Sequence, residues 1–281
     1  MTGDDGPVSR TVLFALALVV VAAIAPTFGT ARPANEIPVE DDPPDAASLS
    51  APTANAWEEV PEVDVAMASA PSSVPNANDT SVDEVSVRAA RTDGSLIVRL
   101  SWDDATADAV TPQAENRTPG VNTFWDAAAL QLPADTSTHP GIAMGSERSQ
   151  VNVWYWSAPN TTQELQAAGP GTTTTIPDTA LDTNASYENG TWHVVFDRDL
   201  RVDDAGANRT TIEGERDVDV AIAVWNGSNA ERSGQKAVSE WQYFPFGPGA
   251  QGPPYETILW VIAGLAIATV IVATTLGVRR T

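Results

Sequence analysis

Val85-Ser-Val-Arg-Ala-Ala-Arg-Thr-Asp-Gly-Ser-Leu-Ile-Val-Arg-Leu-Ser-Trp102 decides the fold class. Val85, Val87 and Ala89 fall at alternate positions, and so do Leu96, Val98, Leu100 and Trp102. A period of two puts one set of side chains on one face of a strand. Asp93-Gly94 between two alternating runs is a strong hairpin cue. The same pattern recurs outward along the chain at Thr123–Leu132, Val151–Trp156, Trp192–Asp197, Val218–Trp225 and Ala237–Phe244. In the Val218 run, Val218, Val220, Ile222 and Val224 share a face while Asp217 and Asp219 point away. No long helical period competes. The reading is all-β: an antiparallel β-sandwich over residues 57–246, long enough to bury a sizeable core.

The flanks differ in character. Residues 32–56 are rich in Pro, Ala and Asp without apolar periodicity, and read as an acidic linker. Residues 247–256 form a second, Gly/Pro-rich linker. Val12–Ala25 is an apolar run of 14 residues followed by Gly29-Thr30-Ala31, so residues 1–31 read as a signal peptide or an N-terminal anchor. Residues 257–278 hold 22 residues without a charge. As a helix they reach about 33 Å, enough to span a bilayer. Tyr255 and Trp260 stand at the outer interface and Arg279-Arg280 at the cytoplasmic end. These features predict an all-β ectodomain outside the cell, tethered to the cell membrane by one C-terminal transmembrane helix. Seven Asn-x-Ser/Thr sequons, at Asn78, Asn116, Asn160, Asn184, Asn189, Asn208 and Asn226, fit a glycosylated surface.

Composition removes several functions. With 37 acids against 15 bases, a net charge of −22 offers no phosphate-binding surface, so no nucleic-acid partner is expected. The absence of cysteine excludes disulfides, thiolate-held metals, iron–sulfur clusters and thioether-linked haem. Lys236 is the only lysine, and a dense carboxylate coat of this kind suits a halophile's surface. The chain contains no G-x-S-x-G, H-E-x-x-H or P-loop pattern. Its two histidines, His139 and His193, are 54 residues apart; His193 reads as a structural strand residue and His139 as a solvated loop residue.

Two rare residues stand out. Met144 ends the loop His139-Pro-Gly-Ile-Ala-Met144, just before Val151-Asn-Val-Trp-Tyr-Trp156, and Lys236 follows Asn229-Ala-Glu-Arg-Ser-Gly-Gln. A loop methionine is commonly a gap-filler and a lone lysine commonly solvated. A ligand pair is the alternative.

Five segments carry a family resemblance: Asp93-Gly94 to Asp104, Phe124 to Pro133, Pro140 to Gly145, Val151 to Trp156, and Ala223 to Ser239 with Trp241. From about Trp57 to Tyr243 the chain resembles the haem b-binding γ subunits of the ethylbenzene dehydrogenase type, found in complexes of the DMSO reductase family. Related subunits accompany dimethylsulfide dehydrogenase, selenate reductase, chlorate reductase and haloarchaeal respiratory nitrate reductase. The resemblance implies a non-enzymatic electron-transfer subunit with haem b held by Met144 and Lys236. It also implies a molybdenum catalytic subunit and an iron–sulfur subunit as partners. Many such subunits are soluble, so the expected membrane helix is a departure; it points to a membrane cytochrome or Rieske-type electron donor. Arg148 and Arg232 lie beside the two loops as candidate partners for haem carboxylates. A second reading is a membrane-tethered surface glycoprotein whose sandwich binds carbohydrate or another ligand through tryptophans.

Overall fold

A computed structural model describes residues 35–109, 124–202, 209–212, 214 and 216–247. The expected signal peptide or anchor (1–31), the membrane helix (257–278) and all of the second linker except Gly247 lie outside these residues. Among the described residues no helix is long and apolar enough to cross a membrane.

The strands are β1 (Val39–Asp41), β2 (Glu62–Ser69), β3 (Glu84–Arg91), β4 (Ser95–Asp103), β5 (Ala127–Pro133), β6 (Val151–Ser157) and β7 (Thr161–Ala167), then β8 (Thr174–Thr175), β9 (Leu181–Glu188), β10 (Thr191–Asp199), β11 (Val218–Trp225), β12 (Ala237–Ser239) and β13 (Gln242–Phe244). Eleven of them follow one hydrogen-bonded path, β8-β7-β6-β5-β11-β12-β2-β3-β4-β10-β9, with β1 paired to β3 and β13 to β11 off it. The β12–β2 pairing links two halves that pack face to face. Leu100, Trp102 and Phe196 from one half share a buried core with Leu130, Trp156 and Ile222 from the other. Trp102 and Trp156 meet edge-on across the layers, with ring centroids 6.5 Å apart. At one edge Arg198 of β10 donates to Glu164 of β7 at 3.0 Å, both side chains fully buried. A buried pair with its remaining hydrogen bonds satisfied fixes how two layers sit together more than it adds net stability.

The β3–β4 hairpin forms in the expected register, with Val87 opposite Leu100 and Ala89 opposite Val98. Neither Asp93 nor Gly94 adopts a positive φ. The turn closes through Thr92 Oγ1, which accepts from Gly94 N and Ser95 N.

Three expectations are corrected. Residues 35–56 are not a free linker: β1 pairs in parallel with β3, so the sheet is not wholly antiparallel, and Leu49 sits in a short 3₁₀ helix. Ile37 and Leu49 are fully buried, and Trp57 nearly so. Isolated apolar anchors hold this segment down, which periodicity does not register. The expected Ala237–Phe244 strand is two, β12 and β13, broken at Glu240-Trp241. Asn226 is buried, and its side-chain oxygen accepts from Ser228 Oγ and Asn229 N, so it does not present a glycosylation site.

Candidate functional site

The outer face of β5, β6 and β11 is built from small and aromatic residues rather than charged ones. Ala129 lies opposite Ala223 on β11 and Tyr155 on β6. Alternation assigns Ala127, Ala129, Ala221 and Ala223 to this face, with Leu130, Ile222 and Val224 in the core behind it. Loops stand around the alanine floor and enclose a cavity of about 1000 Å³. That is the upper end of the roughly 300–1,000 Å³ usual for small-molecule and cofactor sites.

Met144 and Lys236 both line this cavity, although they come from different loops. Lys236 Nζ lies 4.0 Å from Met144 Sδ and 4.8 Å from the centre of the Trp225 ring. Trp225 in turn packs edge-on against Tyr155 at 5.8 Å.

The Met144 loop is tightly held. Met144 has φ 65° and Gly145 φ 70°. A Cβ on Gly145 would come within 2.5 Å of Ser149 O, so only glycine fits. Gly145 N donates to Gly141 O, Gly169 N donates to Met144 O at 2.9 Å, and Gln131 Nε2 donates to Ile142 O at 3.2 Å. A non-glycine residue in the left-handed region costs on the order of 1–3 kcal/mol and persists where neighbours over-determine it. Here that backbone aims the thioether over the floor.

The Lys236 loop is equally constrained. Ala70 N donates to Lys236 O at 2.9 Å. Trp225 Nε1 donates to Ser233 O at 3.2 Å. A Cβ on Gly234 would fall 2.2 Å from Ser72 Oγ. Glu231, 1% exposed, turns inward and accepts from Ser81 N, Asn226 N and Asn229 Nδ2. Lys236 has no carboxylate partner among the described residues. Burial among apolar groups lowers its amine from 10.5 to about 8.

Beside the cavity, Asp126 is fully buried and accepts from Gly227 N, Asp108 N and Trp192 Nε1. Burial pushes its carboxyl up to about 6 against the opposing pull of those backbone N–H donors. These bonds tie the start of β5 to the loop after β11, and Phe124 N donates to Gly227 O at 3.2 Å. They therefore set the position of Phe124, which lines the cavity.

The other residues singled out in the sequence divide. Trp225 and Arg232 line the cavity, whereas Trp154 and Trp156 belong to the core. Trp241 and His139 line a separate groove, where His139 Nδ1 pairs with Asp219 at 2.6 Å. His193 Nδ1 bonds Ser101 Oγ at 2.9 Å on the opposite sheet. Arg148 is exposed and away from the cavity lining. Sequence reading missed the walls made by Ser72, Val74 and Trp125. The available signal was Ala127-Ala-Ala-Leu-Gln-Leu132, apolar on both faces of one strand.

The donor set fits a metal centre inside a flat apolar group. A thioether and an amine can both donate a lone pair to a metal, and here they meet 4.0 Å apart at an apolar cavity. Among the described residues no group of three or more His, Asp or Glu is arranged to hold a bare metal ion.

The ethylbenzene dehydrogenase family matches residues 54–179 and 173–237. This chain belongs to that family. It is 51% identical over 267 residues to a Haloferax mediterranei protein named for the heme subunit of respiratory nitrate reductase, covering 94% of this chain and 92% of the relative. It is 34% identical to the chlorate reductase subunit gamma of Ideonella dechloratans, covering 72% and 80%. It is 32% identical to the dimethylsulfide dehydrogenase subunit gamma of Rhodovulum sulfidophilum, covering 70% and 76%.

Proposed function

We propose that this chain is the haem b-binding, electron-transferring subunit of an extracytoplasmic molybdenum oxidoreductase of the respiratory nitrate reductase type. The observation that carries this reading is the meeting of Met144 Sδ and Lys236 Nζ, 4.0 Å apart over an apolar floor. Family membership supports it, and so do the names of the relatives, which are subunits of nitrate, chlorate and dimethylsulfide enzymes.

When bound, haem supplies reversible one-electron chemistry at its iron. The protein's residues supply the rest. Lys236 ligates only as the free amine. With its amine at about 8, roughly one molecule in ten is deprotonated at pH 7, against fewer than one in a thousand for an ordinary lysine. Trp225 keeps the amine turned toward Met144. The thioether of Met144 is a soft donor that favours the reduced metal and raises its potential. The alanine floor would seat a flat ring, with the surrounding loops standing about it.

In this reading the chain performs no bond chemistry of its own. A molybdenum catalytic subunit and an iron–sulfur subunit are its partners, with a membrane cytochrome or Rieske-type protein as electron donor. Residues 257–278 anchor it to the cell membrane with the β-domain outside. A carbohydrate platform would call for free amides and carboxylates beside an aromatic face. Here the Gln131 amide is bonded to Ile142 O and the Glu231 carboxylate faces inward, which favours the haem reading.

The test is the dithionite-reduced minus oxidised absorption spectrum of the purified full chain, with pyridine extraction of any pigment. The expected result is a Soret band of a six-coordinate low-spin haem and a fully extractable b-type spectrum. A chain that binds no haem on reconstitution contradicts the proposal.

A further inference from the structure

The charges around the cavity are selective in sign. Three charged residues line it: Glu231, Arg232 and Lys236. Glu231 is consumed by inward hydrogen bonds. Two cations are therefore left facing an apolar cavity in a chain whose net charge is −22. Lys236 sits at the floor against Met144 and Trp225. Arg232 sits at the exposed rim, its guanidinium carbon 4.5 Å over the Phe124 ring. Four other described arginines meet carboxylates, among them Arg88 with Glu62 and Arg91 with Asp41. Among the described residues Arg232 meets none.

The rim beside it is polar and rigid. Ser72, Ser73 and Ser233 line the same cavity, and Gly234 is pressed against Ser72. Packing on Phe124 covers one face of the guanidinium, and among the described residues no carboxylate meets its N–H edges, whose fork suits a planar anion. We infer that this rim is a carboxylate-binding edge, with Arg232 as its anchor and the serine hydroxyls beside it. It takes the acidic side chains of the ligand whose apolar ring lies on the alanine floor. The inference rests on the haem reading and orients that ligand: carboxylates outward at Arg232, ring inward at Met144 and Lys236.

The test compares protohaem with its dimethyl ester, which keeps the ring and iron but removes both carboxylate charges. Each is titrated into the full-length apoprotein, as wild type, Arg232→Gln and Arg232→Lys, at moderate salt. For wild type, esterification is expected to weaken binding by roughly tenfold, the scale of one hydrogen bond to a charged group. Arg232→Gln is expected to weaken protohaem by a similar factor and to leave the ester nearly unaffected. Arg232→Lys recovers part of the loss, since it keeps the charge but not the stacked fork. Equal losses on esterification in wild type and Arg232→Gln would overturn the inference while leaving the Met144/Lys236 site intact. Failure of both pigments to bind wild type would overturn the haem reading, and this inference with it.

Discussion

The outer faces of the two sheets make an instructive contrast. On the β3–β4–β10 sheet, Arg88, Arg99, Ser101 and His193 are polar, and the apolar patch of Ala90, Ile97 and Val195 is covered by Leu49, Trp57 and Val60. Arg99 stacks on Trp57, its guanidinium 5.0 Å from the ring centre. That patch is sealed by the chain's own N-terminal segment. On the β5–β6–β11 sheet the outer face is also apolar, but the loops above it stand off. They leave about 1000 Å³ and hold there a thioether and an amine that meets no carboxylate among the described residues. One sheet has its outer apolar surface covered by the chain itself; the other leaves it open as a cavity, the site of the proposed haem. The strands do not differ in kind, only in what covers them.

That contrast can be broken by substitution, and the core behind both faces sets the upper scale. Trp156→Ala removes a fully buried indole from the shared core. It is expected to cost about 3–5 kcal/mol and lower the unfolding midpoint by on the order of 10 °C, read by circular dichroism. The haem spectrum of the remaining folded protein is expected not to change. On the cavity floor, Ala223→Phe should do the reverse. Its ring projects into the ligand's space, so haem affinity is expected to fall by about a hundredfold or more. The unfolding midpoint of the haem-free protein should stay within a few degrees. A smaller effect is expected at the covered patch. Leu49→Ala should cost about 2–3 kcal/mol with no change in haem affinity. A loss of haem at this site would mean that the two outer faces are not independent.

The mildest perturbation is pH. In the folded, haem-free protein Lys236 holds its proton up to about pH 8, while the unfolded chain holds it to about 10.5. Between those values the unfolded state binds more protons, so this residue adds stability as pH rises through the window. Under the proposed ligation, haem binding displaces the same proton. The apparent affinity should therefore fall about tenfold per unit below pH 8 and level off above it. Titrations at several pH values check this, and the Lys236→Ala chain should lose the slope.

Much of the fold is legible in the amino-acid sequence. The β3–β4 hairpin follows from alternation, because one face is core and the other is largely not; β6 and β11 are legible from their β-branched and aromatic residues, although both of their faces are largely buried. β2 alternates as clearly, with Val63, Val65 and Met67 on one face, but stands in an acidic stretch; β9 escapes the pattern, since several of its side chains are only half-buried and acids mix with small polar residues along it. Residues 35–56 mislead for a related reason. Ile37, Leu49 and Trp57 are spaced irregularly, so three deep anchors look like isolated apolar residues in an acidic stretch. For the site, rarity singles out Met144 and Lys236, and the family resemblance gives them a role. Their 4.0 Å meeting is not readable from the sequence, since it depends on two loops converging over a floor that no local pattern reveals. The floor itself does leave a trace: Ala127 to Leu132 buries both faces of one strand. A strand of an antiparallel sheet that is apolar on both faces has something besides water on its far side.

The most direct measurement is the spin state of the iron in the reconstituted full chain, by absorption and electron paramagnetic resonance, for wild type, Met144→Ala and Lys236→Ala. Joint ligation predicts low-spin iron in wild type and a shift to high-spin, or loss of the pigment, in each single variant. A low-spin spectrum unchanged in both variants would contradict it.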